Sequence, residues 1–138
     1  MSMTGQKWLL DTNVLLVALI KPEVLPTDTQ TLLQDPACTV YFSAASLWEI
    51  AIKYSLGRDD FDFLPEDIHQ LSLQTGFTEL PIVSSHSYAV ASMAWHHRDP
   101  FDRLLVAQAQ SIPAYLLTTD GVLKQYSELV KRIVLKLG

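Results

Sequence analysis

Residues 7–20 read KWLLDTNVLLVALI, and the stretch divides at Asp11. Residues 7–10 read as a short buried strand, and residues 13–20 as a helix stopped near Pro22. An acid therefore stands at the carboxyl end of the first strand. Thr12 and Asn13 follow it, and either can cap the helix, the alternative being that Asp11 is itself the cap or turn residue. The same alternation continues along the chain. Helices are expected at residues 29–34, 44–56, 65–75, 84–95 and 99–111, with a short helical segment at 121–126. Strands are expected at residues 39–42, 76–81, 114–119 and 132–137. Strands that alternate with helices imply an α/β fold, a three-layer α/β/α sandwich around a central parallel sheet. Ligands of such sheets bind beyond the carboxyl ends of the strands.

Composition sets the outer limits. The chain has 138 residues, 49% hydrophobic and 18% charged, which suits a single domain over residues 1–138. Cys38 is the lone cysteine, so an intrachain disulfide and a multi-cysteine zinc site are both excluded. The longest apolar run, residues 8–20, is interrupted by Asp11, Thr12 and Asn13 and is too short to span a bilayer. No basic segment precedes it, so the expected place of work is the cytoplasm. The net charge of -5 disfavours broad electrostatic binding of nucleic acid, unless some of the carboxylates carry metal.

The position of the acids decides between these cases. On a helix over residues 44–56, Ala45, Glu49, Ile52 and Leu56 share a face, and most of the remaining surface is apolar too. The helix is expected to be buried nearly all round. A buried glutamate needs a partner, either a metal or Lys53 four residues on. Asp99-Pro100-Phe101-Asp102 is a standard helix start with Asp99 as cap. Asp102 instead heads an apolar stripe with Leu105, Val106 and Ala109, while Arg103 and Gln110 mark a polar flank. Asp120 follows the strand at 114–119 and is either a site residue or half of an Asp-Gly turn, with the hydroxyls of Thr118 and Thr119 beside it. Asp11, Glu49, Asp102 and Asp120 can meet at one sheet edge. Four carboxylates cannot share a dry pocket without cations, and hard divalent ions, Mg²⁺ or Mn²⁺, are the natural counter-charge. Metals held by carboxylates serve attack on phosphodiesters.

These residues resemble the PIN-domain ribonucleases, and within them the VapC-like toxins of toxin–antitoxin pairs. The resemblance lies in Leu9-Leu10-Asp11-Thr12-Asn13, in the run from Ser43 to Lys53, in the run from Asp99 to Ala109, and in Leu117-Thr118-Thr119-Asp120. It implies that Asp11, Glu49, Asp102 and Asp120 are metal-binding and catalytic acids, that the reaction is Mg²⁺- or Mn²⁺-dependent hydrolysis of RNA, and that the protein is a homodimer. It also implies a small antitoxin protein whose arginine reaches the carboxylates. In this family the fourth acid varies most, and Asp99 belongs to the motif of one subgroup. Asn13, Lys53, Asp99 and Arg103 are auxiliary candidates. A catalytically silent PIN-like binding module is the alternative.

Other residues carry blander readings. His96 and His97 suit a helix end or the surface. Lys53, Arg98 and Arg103 are placed to meet phosphate or to pair with neighbouring acids. The run Asp59-Asp60-Phe61-Asp62 reads as a solvated loop in which Phe61, Phe63 and Leu64 can pack on a partner subunit. Trp48 and Trp95 are expected in the core. No phosphate-binding glycine loop and no nucleophile elbow occurs. A phosphatase of the haloacid dehalogenase type wants a second aspartate where Asn13 stands.

Overall fold

The computed structural model of the protein describes residues 5–95 and 99–137. His96, His97 and Arg98, and the expectations placed on them, lie outside the described residues. Strands β1 (Lys7–Leu10), β2 (Thr39–Ser43), β3 (Thr78–Leu80), β4 (Tyr115–Thr118) and β5 (Val130–Arg132) form one sheet in the order β3-β2-β1-β4-β5. Every pairing is parallel, with Leu9 opposite both Tyr41 and Leu116. The connections are α1 (Thr12–Ile20), α2 (Thr27–Gln34), α3 (Ala44–Ser55), α4 (Pro65–Thr75), α5 (Ser84–Ala91) and α6 (Pro100–Ser111). Short 3-10 turns occupy Pro22–Val24 and Gly121–Gln125.

The period of two along the strands sorts the core into two layers. Trp8 and Leu10 on β1 and Leu117 on β4 join Val14, Leu15, Ile50 and Ile68 from α1, α3 and α4 on one face. Leu9 and Leu116 join Leu105, Val106 and Ala109 of α6 on the other. Burying each of these valine, leucine and isoleucine side chains contributes about 1.5–3 kcal/mol. This is the expected three-layer α/β/α sandwich.

The chain runs outward from β1 to β3 and then returns to place β4 on the other side of β1. Parallel crossovers are right-handed, so reversing direction moves the connecting helices to the opposite face. The strand order thus switches between β1 and β4, and a crevice opens beyond their carboxyl ends.

Several expectations needed correction. α3 is not buried nearly all round: Ala45 and Ile50 are fully buried, but Trp48 is 60% exposed and Leu56 63%. Trp95, also expected in the core, is 76% exposed. α5 ends at Ala91, short of Trp95, where the Ser92 amide and hydroxyl both bond back to the carbonyl of Ala89. The last strand is Val130–Arg132, not residues 132–137. The alternation of Ile133 and Leu135 is real, but both pack on the core cluster while the Lys136 amide donates to the Val24 carbonyl, 2.7 Å away. Phe61 and Phe63 also touch the core of their own chain, ring centroids 5.3 Å apart.

Candidate functional site

Asp11 leaves β1 at the switch point and is itself the cap of α1, so of the capping alternatives it is Asp11, not Thr12 or Asn13, that takes the role. Its Oδ1 accepts the Val14 amide at 2.8 Å, and its Oδ2 accepts the Thr118 hydroxyl at 2.6 Å. Thr118 closes the same corner by accepting the Asp120 amide at 3.0 Å. One fully buried hydroxyl therefore joins the ends of β1 and β4. Burial pushes the Asp11 carboxyl up to about 6; the Thr118 and Val14 hydrogen bonds oppose this, and the nearby charge of Glu49 adds to it.

Glu49 is buried on α3, but not through the stripe read from the sequence, whose Ile52 and Leu56 are exposed; Ala45, Ser46 and Ile50 are the buried residues beside it. Thr12 Oγ1 donates to its Oε1 at 2.7 Å and lies 2.9 Å from Ser46 Oγ. Lys53 Nζ stands 3.0 Å from its Oε2, so the ion pair weighed from the sequence is present. Asp99 caps α6 by accepting the Phe101 amide at 2.9 Å. Asp102 is half-buried in the first turn of α6, and the Asp102 stripe of Leu105, Val106 and Ala109 faces the core as expected. Asp120 accepts the Val122 amide at 3.0 Å, so the turn reading of that residue also holds. Asn13 Nδ2 reaches Thr119 Oγ1 at 3.2 Å.

Asp11, Asn13, Glu49, Lys53, Asp99, Asp102 and Asp120 all line one cleft of about 410 Å³ together with Thr12, Leu16, Phe61 and Thr119. Among the described residues, five carboxylates and one lysine thus line the cleft. Arg103 does not belong to this set. Expected on a polar flank, it is 6% exposed, its guanidinium 3.9 Å from the Trp95 ring centroid, with one amino group donating to the Val90 carbonyl at 3.3 Å. A larger cavity, about 730 Å³ between α2 and β5, has a mostly apolar lining and no such cluster of acids.

The donor chemistry of the cleft, all oxygen and strongly anionic, fits a hard divalent cation. Among the described residues no three His, Cys, Asp or Glu side chains are gathered as a set that could hold a metal ion. Asp11 and Glu49 instead hold hydroxyl, amide and ammonium donors. Carboxylate oxygens keep lone pairs beyond those bonds, so an ion would draw the acids inward rather than meet them ready placed. Phe61 and Leu16 were not anticipated in the lining. Phe61 enters because its loop folds back beside Lys53, whose ammonium lies 5.8 Å from the ring centroid.

Residues 8–129 match the family model described as the PIN domain. No curated protein sequence matches the chain. Three solved structures are similar. VapBC2 from Rickettsia felis, bound to a DNA fragment from its promoter, has a TM-score of 0.70 at 15% identity over 94% of this chain and 100% of that one. A toxin–antitoxin complex from Klebsiella pneumoniae has 0.61 at 18% identity over 89% and 94%. VapBC-1 from nontypeable Haemophilus influenzae has 0.60 at 15% identity over 92% and 98%. At these identities the likeness is one of fold. Among the described residues no helix is long and apolar enough to cross a membrane.

Proposed function

This chain belongs to the PIN-domain family, and on that premise we propose that it is a Mg²⁺- or Mn²⁺-dependent endoribonuclease. In this reading it is the toxin of a toxin–antitoxin pair, a homodimer of single domains spanning residues 1–138 that works in the cytoplasm. The observation that carries the reading is the convergence of five carboxylates and one lysine on a cleft at the switch point of the sheet. The likeness in fold to VapBC complexes supports a small antitoxin as partner. An arginine from that partner would suit the carboxylates of the cleft.

Asp11, Glu49, Asp102 and Asp120 would hold the ion. A divalent ion bound there supplies an activated water and positive charge for the leaving oxygen. The chain's own groups keep the acids in place. Thr118 and the Val14 amide fix both oxygens of Asp11. Thr12 and Lys53 fix those of Glu49. With its carboxyl pushed up to about 6, Asp11 is mostly ionised at neutral pH and takes up a proton in mild acid. Lys53 is 44% exposed, which leaves part of its ammonium open to an RNA phosphate oxygen. Asn13 and Asp99 stand at the rim as auxiliary groups.

The test is cleavage of a total-RNA and tRNA panel by purified protein with Mg²⁺ or Mn²⁺, beside EDTA and Asp102→Asn controls prepared identically. Discrete fragments that vanish in both controls are expected. The silent-module reading draws on a specific observation, the engagement of Asp11 and Glu49 with other donors and the lack of a gathered ligand set among the described residues. Identical patterns from wild type and variant, together with no Mn²⁺ binding by titration, would favour that reading.

A further inference from the structure

Gln108 is a fully buried side chain in the last turn of α6, between the buried Ala107 and Ala109. A buried amide is costly unless its polar atoms are matched. Here both ends are matched, and by distant parts of the chain. Its Oε1 accepts the Ser43 hydroxyl at 2.5 Å, and its Nε2 donates to the Pro81 carbonyl at 3.3 Å. Ser43 is itself fully buried and caps α3, accepting the Ala45 amide at 3.0 Å. Pro81 directly follows β3. One amide therefore ties α6 to the start of α3 and to the end of the edge strand.

The tie sits between two site residues. Glu49 lies six residues along α3 from Ser43, and Asp102 lies six residues along α6 from Gln108. Each arm is about 9 Å of helix. α3 and α6 also pack on one another. An apolar side chain of similar volume would fill the same space, but it would not fix a direction or a distance as a hydrogen bond does. We propose that Gln108 is a positioning residue, whose tie to Ser43 and Pro81 sets the separation of the helices that carry Glu49 and Asp102. This rests on the reading of the cleft given above, and it adds a residue that lines no part of that cleft.

The tie can be cut from either end. Gln108→Met keeps the volume and removes the amide. Ser43→Gly removes the hydroxyl while costing the cap little. Val130→Ala, in the same core layer but on the edge strand β5, serves as a control for general loosening. Two quantities are measured in each protein. One is the Mn²⁺ dissociation constant by calorimetric titration. The other is the distance between nitroxide labels at Ser55 and Gln110, both exposed, in a Cys38→Ser background without metal. Both tie variants are expected to weaken Mn²⁺ at least about tenfold, the scale seen when outer partners of metal ligands are lost. Both are expected to shift or broaden the label distance, and their combination to be no worse than either alone. Val130→Ala is expected to leave both quantities near wild type. Label distances unchanged in both tie variants would overturn the proposal, as would an equal shift in the control. Absence of Mn²⁺ binding by wild type would refute the reading of the cleft instead, and the label distances would still decide the tie.

Discussion

The acidic cleft and an apolar groove share two helices and nearly the same size. The cleft encloses about 410 Å³, and the groove, lined by Trp48, Ile52, Ser87, Val90, Pro100, Phe101 and Leu104, about 430 Å³. Neighbouring residues part between them. Glu49 goes to the cleft and Trp48 to the groove; Asp99 and Asp102 go to the cleft, Pro100 and Phe101 to the groove. One residue of helix is a turn of about 100°, enough to put opposite chemistries on adjacent positions. Volume therefore does not tell the acidic region from the apolar one. In the cleft, Asp11, Glu49, Asp99 and Asp120 are each held by a named donor, and this order separates it from a groove whose Trp48 is 60% exposed.

Substitutions on the two sides should differ accordingly. The largest effect is expected from Asp102→Asn, which should lower metal-dependent cleavage by at least about a hundredfold, beyond the loss of an outer partner. Single-turnover cleavage of the most sensitive RNA measures it. Thr118→Val keeps shape but takes the hydroxyl from Asp11, and a loss of about ten- to a hundredfold in Mn²⁺ affinity is expected by titration. Asp11→Asn should instead stabilise the metal-free fold at neutral pH. The folded carboxyl, at about 6, binds its proton more tightly than the unfolded value of 3.8. The stability this adds is complete below the unfolded value and is lost as pH rises through about 6. The amide variant escapes that loss, so a gain of about 1–3 kcal/mol is expected in denaturant melts with EDTA at pH 7, shrinking toward zero near pH 4. The smallest effect belongs to the groove. Trp48→Ala removes an edge-to-face contact with Phe101, centroids 5.3 Å apart, and should cost about 1 kcal/mol or less while leaving cleavage unchanged.

Much of this was legible in the sequence because the signals were local. Pro22, Gly57, Pro65, Gly76 and Pro100 punctuate the elements, and β1, α4 and α6 lie where that punctuation puts them. Asp11 stood out as an acid ending an apolar strand, and Glu49 as an acid within an apolar stripe. What stayed hidden depends on partners far along the chain. Thr118 meets Asp11 from 107 residues away, and Ser43 meets Gln108 from 65. Trp48, Trp95 and Arg103 misled for a related reason. Residue type predicts burial on average, but here an arginine lies under an exposed tryptophan, its charge over the ring face. The edge strand β5 was displaced because Ile133 and Leu135 alternate like a strand while serving the core below the sheet edge.

The most direct measurement is a crystal structure of the wild-type protein grown with saturating Mn²⁺, with anomalous diffraction recorded near the manganese edge. The expected result is an anomalous peak in the cleft, within ligating distance of oxygens from Asp11, Glu49, Asp102 or Asp120, and no such peak in Asp102→Asn. A cleft without manganese at saturating concentration, or a peak confined to another part of the surface, would contradict the assignment of this cleft as a metal-dependent nuclease site.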